Sequence, residues 1–182
     1  MKKGILAGIA VMLLTTGCKS GGSQSGTGEQ SWRNDVPAKD LVKAVSEELG
    51  DEYWPDEELS PELLDDWYGI SDQMYEEFYG QTPMISANVD SLIIVKSEEG
   101  HLKDVENAFD TYREAMIQDS LQYPMNIPKI QSSIIRTYGD YVCFVQLGGS
   151  LDGLEEDEEK AVEACRKMNE QALAAVEREL VK

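Results

Sequence analysis

Two β-rich runs joined by a two-residue turn constrain the fold more than any other feature of the chain. Residues 132–138 and 141–147 are rich in β-branched and aromatic side chains, and Gly139-Asp140 separates them. A turn of this kind connects neighbouring antiparallel strands and sets their register. The predicted facing pairs are Tyr138 with Tyr141, Arg136 with Cys143, Ile134 with Val145, and Ile135 with Phe144. The chain is therefore expected to contain an antiparallel hairpin at about 132–147.

Two further segments are predicted to be strands. Residues 89–96 include a run of successive apolar side chains at 92–95, which is typical of a strand that is buried on both faces inside a sheet. Residues 74–84 contain several aromatic side chains without clean alternation. We interpret them as a strand as well.

Apolar residues at helical spacing predict two helices before these strands. The first begins near Pro37 and ends at Gly50, because proline suits a first helical turn and glycine suits a C-terminal stop. The second is short, opens at Ser60-Pro61 and ends at Gly69.

Two longer helices are predicted on either side of the hairpin. One covers about 101–121, and Pro124 and Pro128 prevent its continuation, so that 123–130 is predicted to be a loop. The other covers 154–181 and runs from an acidic start to a basic end, which is the polarity that the helix dipole favours. Together the elements predict a single α+β domain over 35–182. Its small, mostly antiparallel sheet includes the C-terminal hairpin and is packed by the 101–121 helix, with further helices at both termini.

The first residues have the pattern of a secretion signal. Lys2-Lys3 precede an apolar run at residues 4–14, which is shorter than the roughly 20 residues that a membrane-spanning helix needs. Cys18 directly follows Gly17, and this arrangement resembles the bacterial lipoprotein signal. The resemblance implies that residues 1–17 are removed and that the sulfur of Cys18 carries a diacylglyceryl group. The alternative is an ordinary secretory signal followed by a chance cysteine.

Residues 18–34 are predicted to join this lipid to the domain. Residues 19–31 are mostly Gly, Ser, Gln and Thr without apolar periodicity, a composition that cannot bury enough surface to fold. Such a tether spans about 20 Å on average. We therefore expect the protein to be held on the extracytoplasmic face of the cell membrane through Cys18.

The charge and the cysteines exclude some classes of function. A formal net charge of -19 repels phosphate backbones, so we expect no nucleic-acid partner. Cys143 and Cys165 are too few for a disulfide framework, and we interpret them as two small buried hydrophobes, with a disulfide between them as the alternative. Arg136 facing Cys143 would suggest a redox sensor if both lay in a pocket, but the apolar strand favours the core.

The sequence contains no catalytic or metal-binding motif that we can identify. His101 is the single histidine, and we interpret it as a solvated side chain at a helix start. The acidic clusters lack the spacing of a calcium loop, and carboxylate pairs suited to glycoside hydrolysis arise by chance in so acidic a chain. We therefore expect no enzyme activity, no cofactor and no metal.

From about residue 36 to 149 the chain resembles a known family. The motifs are VPAKDLVKAV, LLDDWYGI, NVDSLIIVKSEEG and IIRTYGDYVCFVQLG. They resemble a family of small lipoproteins of Gram-positive, gut-type bacteria whose common domain is of unknown function. The resemblance implies a lipid-anchored α+β domain and assigns no catalytic residue.

Aromatic residues are dense between positions 53 and 79. Flat rings at this density either form a platform for a ligand or partner or fill the core, and we favour the core. The candidate surface residues are Trp54, Trp67, Tyr68, Tyr75 and Tyr79. The sequence thus favours a non-enzymatic lipoprotein whose domain contacts a protein at the cell surface. The alternative is a glycan- or small-ligand-binding module that uses segment 53–79.

Overall fold

The computed structural model of the protein describes residues 31–84, 87–154 and 156–182. The predicted signal peptide, Cys18 and residues 19–30 of the predicted tether lie outside the described residues. No helix within the described part is long and apolar enough to cross a membrane.

Within this part a five-stranded antiparallel sheet forms the centre of the molecule. Its order is β1-β2-β3-β5-β4, which confirms the α+β class. The strands are β1 Glu57–Glu58, β2 Tyr75–Thr82, β3 Ser91–Ser97, β4 Ile134–Tyr138 and β5 Tyr141–Gln146.

The hairpin formed by β4 and β5 has the predicted register. Tyr138 pairs with Tyr141 across the turn, and the other three predicted pairs also face each other. β3 lies between β2 and β5, and its apolar residues at 92–95 are all fully buried. The predictions of the hairpin, of an internal β3 and of a strand in segment 74–84 are therefore confirmed.

Helices cover both faces of the sheet, and each face has its own apolar core. α1 and α5 pack on the face that carries Leu92 and Ile94, and α2 and α3 pack on the face that carries Ile93 and Val95. This division follows from the alternation of side chains along a strand. The helices are α1 Ala38–Leu49, α2 Pro61–Tyr68, α3 Leu102–Gln118, α4 Ile127–Gln131 and α5 Glu158–Leu180.

Local sequence signals explain several helix ends. The Ser60 hydroxyl accepts a hydrogen bond from the Leu63 amide at the start of α2, and Gly69 takes the left-handed conformation that ends it. Asp157 caps α5 through the Lys160 amide. α5 thus starts a few residues after the predicted position 154, and α3 ends at Gln118, before the predicted 121.

The prediction of a loop over 123–130 is wrong. Pro124 opens a 3₁₀ turn, Pro124–Asn126, and Pro128 lies in the first turn of α4. Proline is compatible with a first helical turn, because the amide it lacks would have no partner there. The two prolines therefore lie at the starts of the next helical segments, whereas α3 ends earlier, at Gln118.

Cys143 and Cys165 are both free and buried, so the predicted core role is confirmed and the alternative of a disulfide between them is wrong. Burial raises the pKa of the Cys143 thiol to about 12, although the Arg136 charge acts to lower it. A thiol of this kind stays protonated and inert. The structure therefore gives no support to a redox sensor at Cys143.

The sheet has two ends, which we call the entry end, where the described chain begins, and the groove end, at the opposite ends of the strands. At the entry end, Trp32 pairs with Val181 after α5 and its ring lies 5.0 Å from that of Tyr138, beside the hairpin turn. At the groove end, Asp90 precedes β3 and Gly148 follows β5. α5 connects the two ends and is 23 residues long, which corresponds to about 35 Å.

Candidate functional site

A buried ion pair organises the groove end. Asp90 precedes β3, and Lys129 lies in α4; the Lys129 Nζ is 2.7 Å from the Asp90 Oδ1, and their side chains are only 4% and 0% exposed, respectively. No hydrogen bond of good geometry reaches this oxygen from the described residues, so the ammonium is its partner there. The other oxygen, Oδ2, accepts hydrogen bonds from the Gly149 amide at 3.1 Å and the Gly148 amide at 3.4 Å. A buried charge needs partners of this kind to remain stable.

The Lys129 ammonium has two further contacts. It donates a hydrogen bond to the Asn88 Oδ1 at 3.2 Å, and it lies 4.8 Å from the centroid of the Trp54 ring. Tryptophan is the best aromatic acceptor for such a cation–π contact. The buried ammonium therefore holds in place a Trp54 ring that is itself 42% exposed.

The burial and charge of the ion pair indicate that it stabilises the fold. Burial raises the pKa of the Asp90 carboxyl, while Lys129 and the two glycine amides act in the opposite direction. Because Asp90 is fully buried and Lys129 nearly so, neither is placed to meet a substrate. The pair joins α4 and the segment after β5 to the start of β3.

The diglycine after β5 is required by close packing. A Cβ at Gly148 would lie 2.6 Å from the Cγ of Lys129 and 2.9 Å from the Sγ of Cys165. Real Cβ atoms essentially never approach other heavy atoms so closely. The glycine therefore lets the chain pass directly over the stem of the buried lysine.

Asn169 connects the same region to α5. Its Oδ1 accepts a hydrogen bond from the Leu147 amide at 2.8 Å, and its Nδ2 donates to the Ser132 carbonyl at 3.0 Å. The side-chain oxygens of Asn126 and Gln146 are buried without a hydrogen-bond partner among the described residues. α4, α5 and the end of β5 thus form one packed polar unit beneath the surface.

Two cavities lie at the groove end. The Trp54 pocket has a volume of about 350 Å³ and is lined by Trp54, Asp56, Met84, Asn88 and Met125, among others. The α4–α5 groove has a volume of about 410 Å³ and is lined mainly by apolar side chains, among them Tyr123, Met125, Leu151, Leu154 and Ala161. Met125 lines both cavities, so the two are adjacent.

Large exposed apolar side chains are concentrated around these cavities. Among the described residues, four of the eight such side chains line one or both of them. We call these four the exposed apolar surface: Trp54, Met84, Tyr123 and Met125. Exposed apolar patches rimmed by polar residues are typical of binding sites.

The structure does not bring the five aromatic candidates together. Trp54 lies at the groove end. Tyr68 is buried, with its ring centroid 4.3 Å from that of Tyr112 in the core under α2 and α3. Tyr75 packs on that same face against Phe78.

The remaining two candidates lie elsewhere. Tyr79 packs on the opposite face of the sheet, where the Lys39 ammonium is 5.1 Å from its ring centroid. Trp67 is 55% exposed on α2 and lines neither groove-end cavity. Segment 53–79 therefore does not form a continuous aromatic platform.

Sequence reasoning missed most of the site. Asp90, Lys129, Tyr123 and Met125 were not singled out, because 123–130 was interpreted as a loop and an isolated Asp or Lys carries no local signal of burial. The pairing of Tyr123 and Met125 around Pro124 was the available signal, since two large apolar residues in a proline-bounded connection are unusual for a solvated loop.

The other sequence candidates remain at the surface. His101 occupies the N-cap position of α3, and its Nδ1 lies 2.9 Å from the Asp104 Oδ2. In the part of the chain that the structure describes, no three His, Cys, Asp or Glu side chains are grouped so as to hold a metal ion.

Comparison with known proteins gives a family but no activity. A family profile described as a domain of unknown function (DUF4358) matches residues 49–147, which is more than half of the chain. The matched region contains all five described strands, the ion pair and the whole Trp54 pocket, whereas the α5 side of the groove lies beyond it. No curated protein and no solved structure matches the chain.

Proposed function

The chain belongs to the DUF4358 family, and we propose that its domain is a non-enzymatic protein-interaction module, held at the outer face of the cell membrane by a lipid on Cys18. The proposal rests on one observation, the exposed apolar surface at the groove end. Tryptophan, tyrosine and methionine are enriched where protein interfaces are buried. Their exposure in so acidic a chain is best explained by a partner that covers them.

The position of this surface suits a tethered protein. The described chain begins beside the entry end, at Ser31 and Trp32. The exposed apolar surface lies at the other end of α5, about 35 Å away by helix length. A domain tethered through its entry end would hold this surface away from the bilayer, where a partner can reach it.

The structure beneath the surface favours binding. Trp54 rests on a buried ammonium, and Asp56 accepts a hydrogen bond from the Met84 amide at 2.8 Å. Side chains and backbone that are already fixed lose little conformational entropy when a partner binds. The buried ion pair would thus act as a support for the interface.

Site-specific photo-crosslinking in intact cells tests the proposal. A photo-reactive residue in place of Met125, which is 64% exposed, should give a protein adduct of discrete mass. The matched control places the same residue at Trp67, which is similarly exposed but lies on α2. The adduct should also disappear when Tyr123 is changed to Ser. Equal adducts at both positions, or none at position 125, would overturn the proposal.

The anchor has its own test. Cys18→Ser should move the protein from the membrane fraction to the medium or leave it unprocessed, because a serine cannot accept the thioether-linked lipid. An unchanged membrane fraction would contradict lipidation at this residue and leave the binding surface to be judged separately.

A second candidate function is the binding of a glycan or small ligand in the Trp54 pocket. The observation that favours it is the presence of an exposed ring beside the polar side chains of Asp56 and Asn88, a combination suited to stacking and hydrogen bonding. A glycan panel should change the intrinsic fluorescence of the wild type but not that of Trp54→Phe, which keeps Trp32 and Trp67. No change in the wild type would dismiss this candidate.

A further inference from the structure

We infer that the α4–α5 groove binds an amphipathic, basic segment of a partner protein, with apolar side chains in the groove and lysine or arginine side chains against its acidic rim. This inference rests on the proposed function and names the chemistry of the partner. Three arguments support it: the apolar lining of the groove, the charge of its rim and the poor fit of other occupants.

The lining fits apolar side chains. The groove is lined by Tyr123 and Met125 from the segment before α4, by Leu151 and Leu154 from the segment before α5, and by Ala161 of α5. Among the described residues of the lining, Glu158 is the one charged side chain. Grooves of this composition take the apolar face of an amphipathic helix, whose anchoring side chains recur at three and four residues.

The rim selects the charge of the segment. Glu156, Glu158 and Glu159 are exposed at the start of α5, and Asp157 is paired with Lys160 at 2.7 Å. The N-terminus of a helix carries about half a positive charge, which is smaller than the charge of these carboxylates. Lys129, in α4, is buried and paired. The rim therefore attracts a basic segment.

The same charge disfavours other occupants. A second copy of the chain in a symmetric dimer would place one acidic rim against another, and the formal net charge of -19 adds to this repulsion. Anionic lipid is repelled for the same reason. The chain's own residues 19–30 contain no Leu, Ile, Val, Met or Phe, so they cannot fill an apolar groove. A basic partner segment is the occupant that satisfies both the lining and the rim.

A designed peptide serves as the probe. An 18-residue peptide of Leu and Lys with the leucines on one helical face should bind the full chain in fluorescence anisotropy. A peptide of the same composition with scrambled order and a Leu/Glu peptide of the original pattern should each bind at least tenfold more weakly. Equal binding of the scrambled peptide would show that charge attraction alone accounts for binding. Equal binding of the Leu/Glu peptide would show that the rim does not select a basic segment. Either result would overturn the inference.

Paired variants locate the binding. Tyr123→Ser with Met125→Ser should weaken binding at least tenfold, whereas Trp67→Ser with Ile117→Ser removes two exposed apolar side chains outside the groove and should leave binding unchanged. Glu158→Gln with Glu159→Gln should weaken binding about fivefold at low salt, whereas Glu98→Gln with Glu99→Gln removes the same charge elsewhere and should have little effect. Equal losses in target and control pairs would overturn the inference.

The two proposals can fail separately. If the Leu/Lys peptide does not bind the wild type but the photo-crosslink at position 125 forms in cells, the inference about the basic segment is wrong and the protein-interaction function stands. If the peptide binds in the groove and no crosslink forms in cells, the groove chemistry stands and the proposed function is wrong.

Discussion

The entry end and the groove end of the sheet are closed by different kinds of contact. At the entry end the contacts are made mainly by aromatic side chains: Trp32 packs on Tyr138, and the Tyr141 hydroxyl donates a hydrogen bond to the Val36 carbonyl at 2.7 Å. At the groove end a buried ion pair and a set of amide hydrogen bonds connect α4, α5 and two strand ends. The end with the more polar interior is also the end with the more apolar surface.

This difference has a physical explanation. An end whose apolar side chains face inward is stabilised by its own core. An end that directs Trp54, Tyr123 and Met125 outward forgoes part of that burial, and directional polar contacts then fix its conformation instead. This difference supports the proposal that the groove end is the part of the domain that contacts a partner.

The largest expected effect comes from breaking the buried pair. Lys129→Met leaves the Asp90 carboxylate buried without its counter-charge, which should lower the free energy of unfolding by about 3–5 kcal/mol at neutral pH. Urea unfolding measures this value. The matched variant at the entry end is Arg33→Met, which breaks the exposed contact with Asp35 and should leave the unfolding midpoint unchanged.

The loss in Lys129→Met should also depend on pH. The pKa of Asp90 is already raised by burial, and Lys129 is one of the groups that oppose this. Its removal raises the pKa further. A group whose pKa is higher in the folded state than in the unfolded state stabilises the fold at pH values below its unfolded-state pKa. This stabilisation is lost as pH rises through the folded-state pKa. The difference in the free energy of unfolding between Lys129→Met and the wild type should therefore become smaller as pH falls towards 4. A pH-independent loss would show that packing, rather than charge, holds the groove end.

The close packing over Lys129 gives the next effect. Gly148→Ala places a methyl group against the Lys129 stem and the Cys165 sulfur, so we expect a loss of about 1–3 kcal/mol from overpacking. Urea unfolding with tryptophan fluorescence checks it, because Trp54 reports on Lys129. Gly100→Ala is the control for backbone strain alone, since a Cβ there meets nothing within 4 Å but φ is +90°. A change in Trp54 fluorescence in both variants would contradict the explanation that Gly148→Ala acts through its contact with Lys129.

The hairpin and the internal strand were predictable from sequence, whereas the packing of Trp32 at the entry end and the contacts of the groove end were not. The turn at Gly139-Asp140 and the apolar run at 92–95 are local signals, and they predicted the hairpin register and the internal strand. The pair Asp90–Lys129 joins residues far apart in the chain, and nothing near either residue indicates that the other will be its partner. The aromatic segment was hard to interpret because strand alternation sends Phe78 and Tyr79 to opposite faces.

Raising the pH should destabilise the two ends of the sheet over different pH ranges. Burial raises the pKa of Cys165, beside Gly148, from 9.0 to about 11, and that of Tyr138, at the entry end, from 10.0 to about 12. Each group stabilises the fold at pH values below its unfolded-state pKa, and this stabilisation is lost as pH rises towards its folded-state pKa. The free energy of unfolding falls by at most about 1.4 kcal/mol per pH unit for each group. Cys165→Ala should flatten the stability profile between pH 9 and 11, and Tyr138→Phe between pH 10 and 12. Profiles that change over the same range would contradict this order.

The smallest expected change in stability is also the most informative for function. Trp54→Ala removes a half-exposed ring and one cation–π contact, so the free energy of unfolding should fall by less than about 1 kcal/mol. Trp32→Ala removes a half-buried ring from the core at the entry end, and we expect a loss of about 1–3 kcal/mol, below that of a fully buried ring. Binding should show the reverse order: the photo-crosslink at position 125 should be lost in Trp54→Ala and kept in Trp32→Ala at a temperature where both variants are folded. If both variants keep the crosslink, Trp54 belongs to the support of the groove end and not to the surface that the partner covers.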